Sequence, residues 1–181
     1  MFNVETTFIF GSRLKEDPLD SISTENGQII NMYGDYAQVN LTERGFNGKF
    51  AVGKIIPVFG CNQNSGLYLR GSIGLLQHKI YIENKGSNTP QIIREYSKGY
   101  DRLTNGVSFT EFIGWQNFSN KNAFHFFVGF EFTQAFTQNR RSWDFATNQA
   151  MDENRIDLLY GIKIGWYIPF ISKPATDYYY N

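Results

Sequence analysis

From residue 158 to 170 every second side chain is large and apolar: Leu158, Tyr160, Ile162, Ile164, Trp166, Ile168 and Phe170 share one parity. The other parity carries Gly161, Lys163, Gly165, Tyr167 and Pro169. A period of two belongs to the β-strand, whose successive side chains point to opposite faces. One face of this strand is therefore continuously apolar, while the other is small and polar. A soluble half-buried strand turns its apolar face to a core and puts charge outside. So small and polar an opposite face also suits the narrow lumen of a barrel whose outer wall meets lipid.

The pattern recurs along the chain. Phe124, Phe126, Val128, Phe130 and Phe132 oppose His125, Phe127, Gly129, Glu131 and Thr133. Leu67, Leu69, Gly71, Ile73 and Leu75 oppose Tyr68, Arg70, Ser72 and Gly74, and Phe2, Val4, Thr6, Phe8 and Phe10 oppose Asn3, Glu5, Thr7, Ile9 and Gly11. Two strands are less regular. In 45–58, Phe46, Phe50, Val52 and Ile56 face outward; in 105–116, Val107, Phe109, Ile113 and Trp115 do, but Glu111 interrupts the face and reads as a bulge. Rows of large apolar groups facing water would be an aggregation hazard.

The connections alternate in length: long over 12–40, short over 60–66, long over 83–102, short over 117–122, and long over 138–155. Short periplasmic turns and long external loops are the asymmetry of outer-membrane barrels. The fold expected is all-β, a transmembrane antiparallel up-and-down barrel over 1–171, with a periplasmic tail over 172–181. The first strand then runs toward the long loops and the last returns to the short turns. About six strands are legible, against about eight in the smallest closed membrane barrels. An N-terminal hairpin preceding Met1, together with an export signal that Phe2-Asn3-Val4-Glu5-Thr6 does not supply, is the simpler account. A further hairpin within 29–41 is the alternative.

Composition removes other classes. Seventeen Lys plus Arg balance seventeen Asp plus Glu, so no overall field favours nucleic acid. The single Cys61 forms no internal disulfide and, with only His78 and His125, builds no Cys/His zinc site. No cofactor is expected. No run approaches the length of a spanning helix, so a membrane would be crossed by strands. Seventeen Phe, eleven Tyr and seventeen scattered Gly fit strands and aromatic girdles, to which Trp115, Trp166, Tyr160 and Tyr167 belong, or else to lumen packing.

Three groups of residues carry candidate chemistry. The inward charges Glu5, Lys49, Arg70, Glu131 and Lys163 form one, with Glu131 and Lys163 on adjacent strands at similar heights. Buried charges must be paired. They read either as an ion path or as a salt-bridge network plugging the lumen, and the small bore of eight strands favours the plug. Arg140, Arg141 and Trp143, with Arg102 on the preceding loop, are candidates for binding a partner or lipid phosphate. The competing reading pairs Arg140, Arg141 and Arg155 with Asp144, Asp152, Glu153 and Asp157 inside the same loop. Both histidines point inward but lie far apart along the strands, so they cannot share a catalytic site, and each reads as a hydrogen-bonded lumen or rim residue. No phosphate loop or nucleophile elbow is present.

The stretch Lys98-Gly99-Tyr100-Asp101-Arg102-Leu103-Thr104-Asn105-Gly106, then Phe130-Glu131-Phe132-Thr133-Gln134, Arg140-Arg141, Leu159-Tyr160-Gly161 and Tyr178-Tyr179-Tyr180 resemble small outer-membrane β-barrel proteins of Bacteroidota. Gly161, Ile164 and Trp166 loosely fit the terminal signal that barrel-assembly machines read. The resemblance covers roughly the C-terminal half. It implies an exported barrel and carries no catalytic residues across. A non-enzymatic structural or docking subunit is expected, in contact with outer-membrane lipid including lipopolysaccharide and with other outer-membrane proteins, as an accessory of a secretion, motility or barrel-assembly complex. The alternatives are a lipocalin-like carrier, with the parity inverted around a small solute or lipid, and a lipid-modifying enzyme.

Overall fold

The computed structural model describes residues 1–14, 17–58, 64–86, 88–118, 125–151 and 153–168. The strands are β1 (Phe2–Gly11), β2 (Gln38–Ile56), β3 (Gly66–Lys85), β4 (Thr104–Phe118), β5 (His125–Asn139), the short β6 (Trp143–Asp144) and β7 (Gln149–Ala150), and β8 (Asn154–Tyr167). Six of them form one antiparallel sheet in the order β1-β2-β3-β4-β5-β8, curled into a half-barrel. β6 and β7 pair as a separate ribbon within the last long loop. Cys61, Phe124, Asp152, Phe170 and the expected tail over 172–181 lie outside the described residues.

Parity decides the two faces. Phe2, Val4, Phe8 and Phe10 of β1 are exposed, as are Phe46, Phe50, Val52 and Ile56 of β2 and the series from Ile156 to Ile168 of β8. Tyr160 reaches 85% exposure. The opposite parity buries Lys49, Arg70, Asn47, Ser108, Thr110 and Gln116 on the concave side. The sheet is thus apolar outside and polar inside.

The outward apolar band covers Leu67 to Leu75 on β3 and Val107 to Trp115 on β4. β3 continues beyond it to Lys85, paired with Gln38 of β2, through the outward polar residues Gln77, Lys79, Glu83 and Lys85. The long connection expected over 83–102 therefore starts later, because Glu83, Asn84 and Lys85 still belong to β3. Two other expectations are corrected. Ladders run without interruption through Glu111, which faces Gly71 on one side and Phe132 on the other, so no bulge exists there. A charge on the convex face gives the backbone no reason to break register. Nor does 29–41 hold an added hairpin: one isolated bridge joins Ile30 to Tyr36, and from Gln38 onward the chain is already β2.

A compact apolar cluster lies among the long loops. Leu19, Ile29, Ile92 and Tyr100 are buried together, against Val39, Leu41 and Ile82 from the projecting ends of β2 and β3. These loops are therefore folded onto one mouth of the half-barrel.

Candidate functional site

Lys49 on β2, Arg70 on β3, Glu131 on β5, Lys163 on β8 and Glu5 on β1 all point to the concave side, and their side chains meet. Lys49 reaches Glu131 at 3.0 Å and Glu5 at 3.8 Å. Arg70 is bidentate across two acceptors, Glu5 at 3.0 Å and Glu131 at 2.8 Å. Lys163 bonds Glu131 at 2.8 Å and also Glu5, spanning from one edge strand to the other. The Lys49 and Arg70 side chains are only 1% and 3% exposed. Desolvated charges are tolerable only in such mutual satisfaction. All five sequence candidates of this group are thus brought into one network. Its wiring is richer than the Glu131–Lys163 pair alone, since each carboxylate serves three cations.

Beneath it, toward the short turns, is a layer of rings. Tyr68 packs edge-on to Phe112 at 5.5 Å and Phe112 edge-on to Phe127 at 5.7 Å, while Phe127 lies tilted against Tyr167 at 5.4 Å. The Tyr167 hydroxyl donates to Gln116 at 2.8 Å, and Arg70 lies 5.1 Å above the Phe112 ring. Inward glycines make this layer possible: a Cβ on Gly114 or Gly129 would come within 2.7 Å of Phe112, and one on Gly165 within 2.2 Å of Phe127. The glycine-rich inner parity is space for aromatic rings rather than an open bore. Beside the charged network, Ser108 donates to Asn47 at 2.9 Å and the hydroxyls of Thr110 and Thr133 meet at 2.8 Å.

Nearer the long loops, His78 sits between two carboxylates. Its Nδ1 lies 3.0 Å from Glu43 and its Nε2 3.1 Å from Asp157, with the Thr104 hydroxyl 2.9 Å from the same Nε2. Thr137 donates to the Asp157 oxygen at 2.5 Å. Each ring nitrogen of the half-buried imidazole therefore has a carboxylate beside it. Because the carboxylates flank opposite ring nitrogens, they do not converge on one point, and among the described residues no group of three His, Cys, Asp or Glu is arranged to hold a metal. His125 is at the far end, stacked on Phe118 at 4.7 Å. The strand partners of the two histidines on β4, Thr104 and Phe118, are the two ends of that strand, so no site contains both.

The loop arginines are divided. Arg141 makes two bonds to Asp101, at 2.7 and 2.5 Å, and Arg102 pairs with Asp144 at 3.1 Å. Asp101 and Asp144 are both buried. The pairing reading expected partners within one loop. The bonds of Arg141 and Arg102 instead cross between the loop that follows β3 and the loop that follows β5, because those loops pack side by side. Phe145 adds an edge contact to Tyr100 at 5.5 Å and fills the space over Gly99, where a Cβ would lie 2.1 Å from its ring. Arg155 approaches Asp157 at 4.0 Å. Arg140 reaches Asn105 and Gln138 and stays exposed, as does Trp143. Those two remain available on the loop surface.

No family model, no curated protein and no solved structure matches this chain.

Proposed function

We propose that the chain forms wall of a transmembrane β-barrel in a bacterial outer membrane, where it acts as a non-enzymatic, non-conducting structural or docking subunit. The observation that carries this reading is the inversion of the sheet, with buried Lys49 and Arg70 inside and outside a wall of exposed Phe, Ile, Leu, Val, Tyr and Trp that charges such as Glu111 and Lys54 interrupt. In water such a wall drives association, whereas in a bilayer it is matched to the acyl chains. The free edges of β1 and β8 are in this reading joined by further strands, from this polypeptide or another, since an open edge is not stable in lipid.

The interior supports a plug. Rings, an ion-pair network and paired hydroxyls succeed one another along the axis, and the loop cluster covers one mouth. A lipocalin-like carrier needs the opposite parity, with apolar groups lining its cavity. On the loop side Arg140 and Trp143 present a cation and an indole to a partner or to lipopolysaccharide phosphates. The resemblance to small Bacteroidota outer-membrane barrels points to an accessory role in a secretion, motility or barrel-assembly complex.

Fractionation tests the reading directly. The protein is expected in the outer-membrane fraction, to need detergent for extraction, and to shift in gel mobility on heating as a barrel unfolds. A protein that stays soluble and monomeric without detergent overturns it.

A further inference from the structure

The two edges of the sheet differ from its middle. β1 is hydrogen-bonded only to β2 and β8 only to β5, so each edge strand leaves one row of backbone N–H and C=O groups without a strand partner. The interior is also unevenly filled. Inward Gly114, Gly129 and Gly165 are covered by the rings of Phe112 or Phe127, whereas a Cβ on inward Gly161 of β8 would meet nothing within 4 Å. Beside Gly161 a cavity of about 320 Å³ lies between the edges, lined by Thr7 and Ile9 of β1 and by Leu159 and Lys163 of β8, among others. A second, of about 490 Å³, adjoins it toward the long loops and shares Ile9 and Leu159.

One contact bounds the width of this gap. Lys163 of β8 bonds Glu5 of β1. Both side chains at full extension hold their Cα atoms no more than about 14 Å apart. Five successive antiparallel pairings make β1 and β8 run in opposite directions, so an antiparallel closure adds an even number of strands. Zero is excluded, because β1 and β8 are not bonded to each other. At the usual strand spacing and tilt, two added strands place β1 and β8 roughly 14 Å apart, and four place them roughly 19 Å apart. The reach of Lys163 fits two strands and not four.

Charge adds a requirement. The network holds three cations, Lys49, Arg70 and Lys163, against two carboxylates, Glu5 and Glu131, which leaves one positive charge in excess. Its least covered members border the gap: Lys163 is 22% and Glu5 18% exposed, against 1% for Lys49 and 3% for Arg70. A wall that covered them without an anion of its own would bury that excess charge. We infer that a single β-hairpin closes the barrel between β1 and β8, and that its inward parity carries a carboxylate at the level of Lys163 and an apolar side chain beside Gly161. Main-chain pairing satisfies both edges. The added acid brings the network to three cations and three anions, and the apolar group fills the cavity between Ile9 and Leu159. The inference rests on the membrane-barrel reading and names the chemistry of the strands that the free edges call for there.

The test adds synthetic hairpins to the full chain refolded into detergent micelles. Each hairpin has two strands of about ten residues, apolar on the outward parity and small or hydroxylated on the inward one. A Leu stands at the level of Gly161, and Glu, Gln or Lys at the level of Lys163. Affinity is read from the fluorescence anisotropy of a dye on the hairpin, and the mass of the complex by light scattering. The Glu hairpin is expected to bind one to one, at least about tenfold more tightly than the Gln hairpin, and the Lys hairpin not to bind. Lys163→Met leaves two cations with two carboxylates and is expected to abolish the preference for Glu over Gln. Either strand of the hairpin alone is expected to bind more weakly than the two together. Equal binding of all three hairpins overturns the inference, as does a preference for Glu that survives in Lys163→Met, or a single strand that binds as tightly as the hairpin. A chain that needs detergent and shows the heat-dependent gel shift, but binds no hairpin, overturns it while leaving the barrel reading standing. A chain that is soluble and monomeric without detergent counts against the barrel reading itself.

Discussion

Glu131→Gln is the substitution whose cost the network geometry sets most clearly. Three cations, Lys49, Arg70 and Lys163, share two carboxylates, Glu5 and Glu131. Neutralising Glu131 leaves three cations on Glu5 alone, and two of them, Lys49 and Arg70, are almost completely removed from solvent. Removing one partner of a buried pair costs about 3–5 kcal/mol because the other charge stays desolvated. The expected loss is in that range, a change of more than about a hundredfold in the folding equilibrium. Lys163→Met is the contrasting change. The sequence alone makes Lys163 the partner whose loss would strand Glu131, but Lys49 and Arg70 still hold that carboxylate. Two cations then face two carboxylates, and the lysine removed is 22% exposed. Its loss should therefore cost about 1 kcal/mol or less, in the range of solvated pairs. Urea unfolding of the protein refolded into detergent micelles, followed by the fluorescence of Trp115 and Trp166, measures both. A Lys163→Met variant as unstable as Glu131→Gln would refute the assigned wiring.

Three further outcomes are expected. His78 is clamped by Glu43 at Nδ1 and by Asp157 at Nε2. His78→Ala leaves both carboxylates without the ring between them and should lower the unfolding midpoint; an unchanged midpoint would contradict the clamp. Phe112→Ala opens a hole between Tyr68 and Phe127 and should cost about 3–5 kcal/mol in the same unfolding assay. Arg141→Ala removes the two-bond tie to Asp101 and should speed protease cleavage within the loops while the strand signal in circular dichroism is unchanged; equal cleavage rates would show that the tie does not order them.

The strands were legible because alternation fixes faces without any knowledge of the fold. Glu5, Lys49, Arg70, Glu131 and Lys163 stood out for the same reason, as charges on the quiet parity of otherwise apolar strands. What parity does not contain is curvature. That Lys163 on β8 meets Glu5 on β1 depends on how far the sheet bends, and one pair was all that adjacency predicted. The loop cluster was hidden for a different reason. Leu19, Ile29, Ile92 and Tyr100 are single apolar residues in polar, aperiodic segments, and only the packing of one loop on another turns them into a core. The same packing sends Arg141 to Asp101 instead of to an acid in its own loop. At Glu111 an odd residue marks no backbone defect, because a side chain on the convex face is free to differ from its neighbours.

The polar interior also explains how such a sheet selects one register. A slip of one residue in any ladder exchanges the two faces of a strand. In water the hydrophobic effect penalises that exchange, but in lipid an apolar side chain gains little by facing one apolar neighbour over another. The penalty must then come from the other parity. In the proposed membrane setting, slipping β2 or β3 by one residue would turn Lys49 or Arg70 onto the convex wall, away from Glu5 and Glu131, and into the acyl chains. A basic side chain near the bilayer midplane costs about 2–4 kcal/mol on a barrel surface, before the orphaned carboxylates are counted. In that setting the five charges would act as register pins. β4, which contributes no charge to the network, depends instead on Phe112 fitting over Gly114 and Gly129, a fit that a one-residue slip would equally destroy.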